Sequence, residues 1–509
     1  MNNFILKFLV FTGLLVLATS ILGQSTFQGY ALYNELGRNT TYLIDKDGNI
    51  AHSWQLQTAC NYAVLLKENG NIIRGGVYPM NVIFGAAVGG MVQEIDPSGN
   101  VVWEFVYSDA NRVSHHDITL MPNGGVLLTA WEVKSNAEMA ALGYTGNGQK
   151  YVTHFIEVQQ DSTSSNGKIV WEWHMYDHLV QNVDPAKPNY AVVKENPQLL
   201  DINVSTSGFG GGGGFGADWL HVNGVDYNED LDQLVFSSRF LSEIFVIDHS
   251  TTVAEAASHS GGNSGMGGDI MYRWGNPSNY DTPGSQYITA AVHDTRFITD
   301  DGRPNGGYIQ FFNNEGGPGN SSAVDALKTP WNGTTYDKVP NQPYAPFAYS
   351  WRHECRDNAN GQSASNRLSN GNTFVALSGD YMYEVDSLGV LVWQYNAGPA
   401  KAFRYECNHP GIQALLANPC FQPGVGISDL EVRNIKLFPN PSTGVFILRD
   451  LPTSIKQLEM SVLDLTGKEV AVQIIGDQID LSNQPVGMYF LRLVIDGEQT
   501  ITKKITIQR

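Results

Sequence analysis

The chain has 509 residues, with 31 Lys and Arg against 50 Asp and Glu and a formal net charge of −19. That balance supplies no basic face for phosphate neutralisation, which argues against nucleic acid or anionic membranes as partners. Charged residues reach only 16%, against about 25% in an average soluble protein. Aromatic residues make up 11% and hydrophobic residues 42%, with 53 Gly and 22 Pro. Such a turn-rich, aromatic-rich composition excludes a helical bundle, a coiled coil and a disordered chain. It fits an all-β extracellular protein.

In chain order, the first element is a leader. Residues 1–23 hold Lys7, then the apolar run Phe8 to Leu17, then Ser20-Ile21-Leu22-Gly23. A cation, a short apolar run and a small terminal residue predict a signal peptide cleaved near Gly23. No later stretch is long and apolar enough to span a bilayer, so the mature protein is expected to be exported, with no transmembrane segment. Its four cysteines are Cys60, Cys355, Cys407 and Cys420. Without a CxxC pair they read as structural, and two disulfides with three possible pairings are the default.

Two patterns recur over the next 400 residues. One is an acidic turn, a glycine and a strand ending in tryptophan: Asp45 to Gly48 and Trp54, Asp96 to Gly99 and Trp103, Asp386 to Gly389 and Trp393. Looser copies end at Trp171 and Trp274. The other is leucine, then Asn-Gly, then apolar residues, at Leu66 to Gly70, Leu120 to Gly124 and Leu368 to Gly371. Asn-Gly closes tight turns, and the β-branched and aromatic residues that follow favour strands. Repetition of one meandering sheet predicts a β-propeller of roughly six blades over 24–423, one of them degenerate between Tyr308 and Leu377. The run Gly208 to Gly216 lacks the Gly-Lys-Ser/Thr ending of a phosphate loop and reads as an insertion.

After Pro423 the character changes. Residues 424–434 read as a linker, and 435–509 alternate strands with Pro and Gly at the spacing of a small immunoglobulin-like β-sandwich. Its motifs are Phe438-Pro439-Asn440-Pro441, Asp464 to Gly467-Lys468 and Gly487-Met488-Tyr489-Phe490-Leu491. This tail resembles the type A sorting domain of the type IX secretion system of Bacteroidetes. The resemblance implies export through that machinery to the cell surface or medium, with cleavage or surface attachment of the tail.

The chemistry is therefore expected in 24–423. Four histidine settings stand out: His115-His116-Asp117, Asp218 to His221 and Asn223, His293-Asp294, and Arg352-His353-Glu354. Each lies at or just before a predicted strand, where propeller strands converge on one mouth of a central channel. Converging imidazoles there bind a metal, relay protons or attack an electrophile. The plainer reading of any one of them is a hydrogen-bonded structural pair.

Several segments together extend this reading: Trp171 to His178, Asp218 to Asn228, Leu231 to Ser238, Ile247 to Thr252, Gly268 to Pro277 and Phe311 to Gly317. With the two repeats, they make residues 30–400 resemble the bacterial arylsulfate sulfotransferases. The resemblance implies a six-bladed propeller that moves a sulfuryl group from a phenolic sulfate to a phenolic acceptor. It further implies a sulfohistidine, ping-pong turnover, and neither cofactor, metal nor nucleotide sulfate donor. By resemblance His221 and His293 match two family active-site histidines, and His353 is the expected nucleophile. His116, Asn223 and Arg296 are the expected substrate-binding residues. The family's arginine after the second histidine has no counterpart near Asn313. The alternatives are a non-catalytic surface propeller binding a glycan or protein, a metal-dependent hydrolase, and a quinone-dependent dehydrogenase. The last is disfavoured because the adjacent cysteine pair of that family is absent.

Overall fold

The computed structural model describes residues 25–161, 167–206, 217–282, 284, 286–287, 289–420, 435–449, 451, 457–465, 467–495 and 499–508. The expected signal peptide, the glycine-rich insertion and the linker lie outside the described residues. The chain divides into two compact units, Met1–Pro419 and Cys420–Arg509.

Among its described residues, the first unit holds six four-stranded antiparallel sheets. Counting the sheet that contains Gly29–Asn34 as the first, the innermost strands of the first to sixth sheets are Ala402–Glu406, Cys60–Leu66, Arg112–Leu120, Val222–Asn228, Val292–Phe297 and Ala364–Arg367. Each of these packs on the next, and Ala364–Arg367 packs back on Ala402–Glu406, which makes a propeller ring. Ring closure is covalently discontinuous. Ala402–Glu406 pairs with Gly29–Asn34, so one sheet is built from both ends of the unit.

The two repeats have separate mechanical roles. Each Asp-x-x-Gly turn is an aspartate loop: Asp96 Oδ1 accepts from the amides of Ser98 and Asn100, both at 2.9 Å. Asp45 and Asp386 do the same in their turns. The glycine that follows adopts a left-handed backbone, φ 86° at Gly99, which costs a side-chain-free residue little. The tryptophans then clamp sheet to sheet. Trp54, on an outer strand, donates its indole N–H to Asp96 O in the turn of the next sheet at 3.0 Å. Trp393 donates to Lys46 O of the first sheet at 2.6 Å, so the clamp continues across the closure. The sheet that lacks a Gly-x-x-x-Trp copy is Val292–Phe297, Ile309–Asn313, Ala323–Leu327 and Trp351–Glu354. It begins earlier than the sequence pattern implied, because a long connection separates its third and fourth strands and hides the repeat.

The cysteines depart from expectation. Cys407 and Cys420 are disulfide-bonded, while Cys60 and Cys355 are free. The two thiols belong to different sheets, and Cys60 donates to Glu35 O at 2.8 Å. Burial pushes Cys60 up to about 11 and Cys355 up to about 12, so both stay protonated and unreactive at neutral pH.

The second unit is a β-sandwich of a four-stranded and a three-stranded sheet. Alternate residues of its strands, including Phe446, Leu448, Leu491 and Leu493, form its core.

Trp54 is 1% exposed. Trp54→Ala is expected to destabilise the first unit by about 3–5 kcal/mol through cavity formation and loss of the clamp, read as a lower denaturant midpoint.

Candidate functional site

Four innermost strands are interrupted, and at three of them the interruption carries or adjoins a histidine. Pairing with the second strand of the sheet slips between Ser114 and Ile118, between Val222 and Gly224, and between His293 and Arg296. At or beside each slip a residue other than glycine has left-handed backbone: His116 at φ 48°, His221 at φ 50° and Asp294 at φ 49°. Such a conformation costs about 1–3 kcal/mol per residue and persists only where the surroundings enforce it. Bulges of this kind redirect side chains away from the sheet. Here they send His116, His221 and His293 into one cavity.

That cavity has a volume of about 650 Å³ and is lined by the three histidines, Arg239 and a loop carrying Asn358, Asn360 and Gln362. The His116 and His221 rings are 4.8 Å apart between centroids, and those of His221 and His293 are 6.4 Å apart. Gly361 lets the guanidinium approach. A Cβ at that position would lie 3.1 Å from Arg239 Nη1 and 3.9 Å from His293 Cε1.

Hydrogen bonding orients each ring. His221 Nδ1 donates to Asp218 Oδ2 at 2.7 Å. His293 Nδ1 faces two acceptors, Asn314 Oδ1 at 2.7 Å and Ala291 O at 2.9 Å. The Asn314 amide is itself fixed as acceptor there, because its Nδ2 donates to Ala359 O and Gln362 O. The proton of neutral His293 is therefore on Nδ1, and Nε2 keeps its lone pair. His116 Nδ1 shares a hydrogen with His115 Nδ1 at 2.8 Å. Burial, then Arg239 and His221, hold His293 down to about 3. Burial, then His221 and the other nearby histidines, push His116 well below the ordinary imidazole value. Both are neutral at pH 7.

Beneath the cavity lies a second layer of charge. Lys401 Nζ meets Asp117 Oδ2 at 2.5 Å and Asp294 Oδ1 at 2.9 Å, and Arg296 meets Asp294 Oδ1 at 2.8 Å. Backbone adds to this layer. Asp117 Oδ2 also accepts from Val225 N, and Asp294 Oδ2 accepts from Ser365 N. Burial alone would raise Asp294, but Arg296 and Lys401 outweigh it and keep the carboxyl below its usual range.

Of the residues expected to form the site, the structure brings His116, His221 and His293 together. Arg296 is not at the cavity, since its guanidinium is held in the axial ion cluster. Asn223 is also elsewhere. Its Nδ2 donates to Val292 O and its Oδ1 accepts from Ser237, tying adjacent strands. His353 lies on the outermost strand of its sheet, bonded to Tyr383 Oη at 3.0 Å, and does not line the cavity. Arg239 was not singled out by sequence. The available signal was its position directly after the Phe236-Ser237-Ser238 strand end, where its amide donates to His221 O at 3.1 Å.

A family model described as Arylsulfotransferase (ASST) matches residues 16–332. The chain belongs to the arylsulfotransferase family. The matched span contains His116, His221, Arg239 and His293, and ends before His353. A secretion-system C-terminal sorting domain matches residues 436–508, so this arylsulfotransferase-family protein is exported and is secreted or held at the cell surface. No curated protein matches the chain. Among solved structures, it is similar to a protein of unknown function from Bacteroides caccae, at 12% identity and TM-score 0.41, over 74% of this chain and 98% of that one. It is also similar to the Cps50 (Swd1) β-propeller domain of Myceliophteria thermophila, at 10% identity and TM-score 0.36, over 74% and 88% of the two chains. BamB from Moraxella catarrhalis aligns at 10% identity and TM-score 0.30, over 73% and 74%.

Neutral burial of His293 has a pH signature. An unfolded histidine titrates near about 6.5, whereas folded His293 titrates at about 3. As pH falls, the unfolded chain takes the proton first. This contribution to stability is thus complete above the unfolded value and is lost as pH drops toward 3. The urea midpoint is expected to fall between pH 7 and pH 4, less steeply in His293→Gln. Equal slopes in the two proteins would contradict the assignment.

Proposed function

We propose that the protein is an exported sulfotransferase that moves a sulfuryl group from a phenolic sulfate ester to a phenolic acceptor through a sulfohistidine. The observation that carries this reading is the convergence of three histidines, two of them held neutral, on one cavity beside Arg239. Sulfuryl transfer passes through a loose transition state, as phosphoryl transfer does. Such a site needs an in-line nucleophile and donors for three equatorial oxygens more than it needs covalent assistance.

In this reading the nucleophile is a cavity histidine rather than His353. His293 is the strongest choice because Asn314 and Ala291 hold its proton on Nδ1. Its Nε2 lone pair forms the N–S bond as the S–O bond to the aryl group breaks. The departing aryloxide takes the Nε2 proton of the His221 imidazolium, whose Nδ1–H Asp218 holds, leaving His221 neutral. In the second half-reaction the acceptor phenol returns a proton to His221 as its oxygen attacks sulfur, and the S–N bond breaks. Arg239 and the side-chain amides of Asn358 and Asn360 suit the equatorial oxygens. The reaction as written calls for neither a nucleotide donor nor a metal.

The test is sulfuryl transfer by the purified chain from 4-nitrophenyl sulfate to phenol, with a metal chelator present. Acceptor-dependent release with ping-pong kinetics is expected. His293→Ala and His221→Ala should each lower kcat by about 10²–10⁴-fold, and Arg239→Ala by about 10²–10³-fold, with the fold retained by circular dichroism. Mass spectrometry of the donor-only reaction should locate the sulfuryl group on the peptide containing His293. Full activity in His293→Ala would remove that residue from the role. Absence of release from the folded protein would favour a non-catalytic propeller that binds its ligand at the same mouth.

A further inference from the structure

Far from the mouth, a second histidine cluster lies between the third and fourth sheets. His178 follows the outer strand Lys168–His174, and Asp269 immediately precedes the outer strand Ile270–Trp274. His259 belongs to the connection that leads into that second strand. His178 Nδ1 lies 2.8 Å from Asp269 Oδ1, and His259 Nδ1 lies 2.7 Å from the same oxygen. None of the three lines the cavity described above.

The surroundings of His178 fix its ring. Its Nε2 faces Ala256 O at 2.9 Å. A carbonyl only accepts, so Nε2 carries a hydrogen, and Nδ1 is the nitrogen turned to Asp269, where a proton or a metal ion can sit. The ring is held in this orientation, because it is fully buried, stacked against Trp173 at 5.4 Å between centroids, and opposed by Gly268. A Cβ at Gly268 would lie 2.7 Å from His178 Nε2, so the chain keeps that approach open by omitting a side chain. A metal ion in place of the shared proton would accept lone pairs from both Nδ1 atoms and the carboxylate.

We propose that His178 Nδ1, His259 Nδ1 and Asp269 Oδ1 form a zinc-binding site. The three ligand atoms lie within 4.8 Å of one another, and two imidazoles with a carboxylate are donors that zinc favours over calcium or magnesium. Ligand bonds of about 2.0–2.2 Å separate tetrahedral donors by about 3.3 Å, a modest opening of the present contacts. His259 supplies it, since its side chain is 60% exposed, against 0% for His178 and 6% for Asp269. Water completes the coordination from that open side. The ion would pin the connection of the fourth sheet to the edge of the third, where Trp173 already donates to Gly268 O at 2.7 Å.

The test is calorimetric titration of Zn²⁺ into the full-length, tag-free chain after exhaustive dialysis against a chelator. One Zn²⁺ is expected to bind per chain, with a rise in Tm. His259→Ala, at an exposed position that does not threaten folding, should weaken binding by more than the roughly 10–100-fold that outer-shell partners cost. Asp269→Asn should do the same, and neither variant should show the Tm rise. Absence of zinc uptake by the parent chain, or equal affinity in the parent and His259→Ala, overturns the proposal.

Discussion

Lys401 bridges Asp117 and Asp294, and Arg296 pairs with Asp294; desolvating such charges costs several kcal/mol each unless close partners offset it. The contacts come from different sheets: Asp117 from the third, Val225 N from the fourth, Asp294 and Arg296 from the fifth, Ser365 N from the sixth, and Lys401 from the closing strand. Satisfying the charges therefore fixes the depth of five innermost strands relative to one another. Hydrophobic packing between flat sheet faces tolerates sliding far better than a buried carboxylate tolerates loss of its partner.

The candidate site inherits its precision from this layer. His116 immediately precedes Asp117, and His293 immediately precedes Asp294. Once the aspartates are locked on the axis, a bulged backbone leaves their neighbours no direction except the mouth. His221 reaches the same depth by a different device, with Asp218 holding both its backbone amide and its Nδ1. The strained backbone at His116, His221 and Asp294 is thus offset by the ion cluster below and the hydrogen bonds around it.

Much of this was legible in the sequence because the repeats are local. An aspartate loop needs only Asp, Gly and the residues between them, and the Trp strand follows at fixed spacing, so the outer strands of most sheets show in a short window of sequence. The fifth sheet was misplaced where that locality fails, since a long connection precedes Trp351–Glu354. The same failure explains His353. Its Arg-His-Glu setting resembles the other histidine motifs, but strand rank within a sheet decides whether a residue faces the channel or the perimeter. His353 is on the fourth strand, whereas His116 and His293 are on first strands and His221 immediately precedes one. Arg239 illustrates the converse. It ends a second strand with no motif of its own, and only pairing with the bulged first strand carries it to the mouth. Arg296 and Asn223 were legible as polar residues near the axis, while their commitment to neighbouring strands depends on contacts across sheets that no local pattern encodes.

The sheet shared by Gly29–Asn34 and Ala402–Glu406 bears on how the protein is delivered. Gly29–Asn34 waits for an innermost partner almost four hundred residues later in the chain, so the ring stays open until nearly the whole unit has been synthesised. Only a short stretch separates that final strand from the sorting module. Completion of the propeller and appearance of the sorting module in the growing chain are therefore nearly simultaneous events, and a chain truncated ahead of the closing strand lacks both.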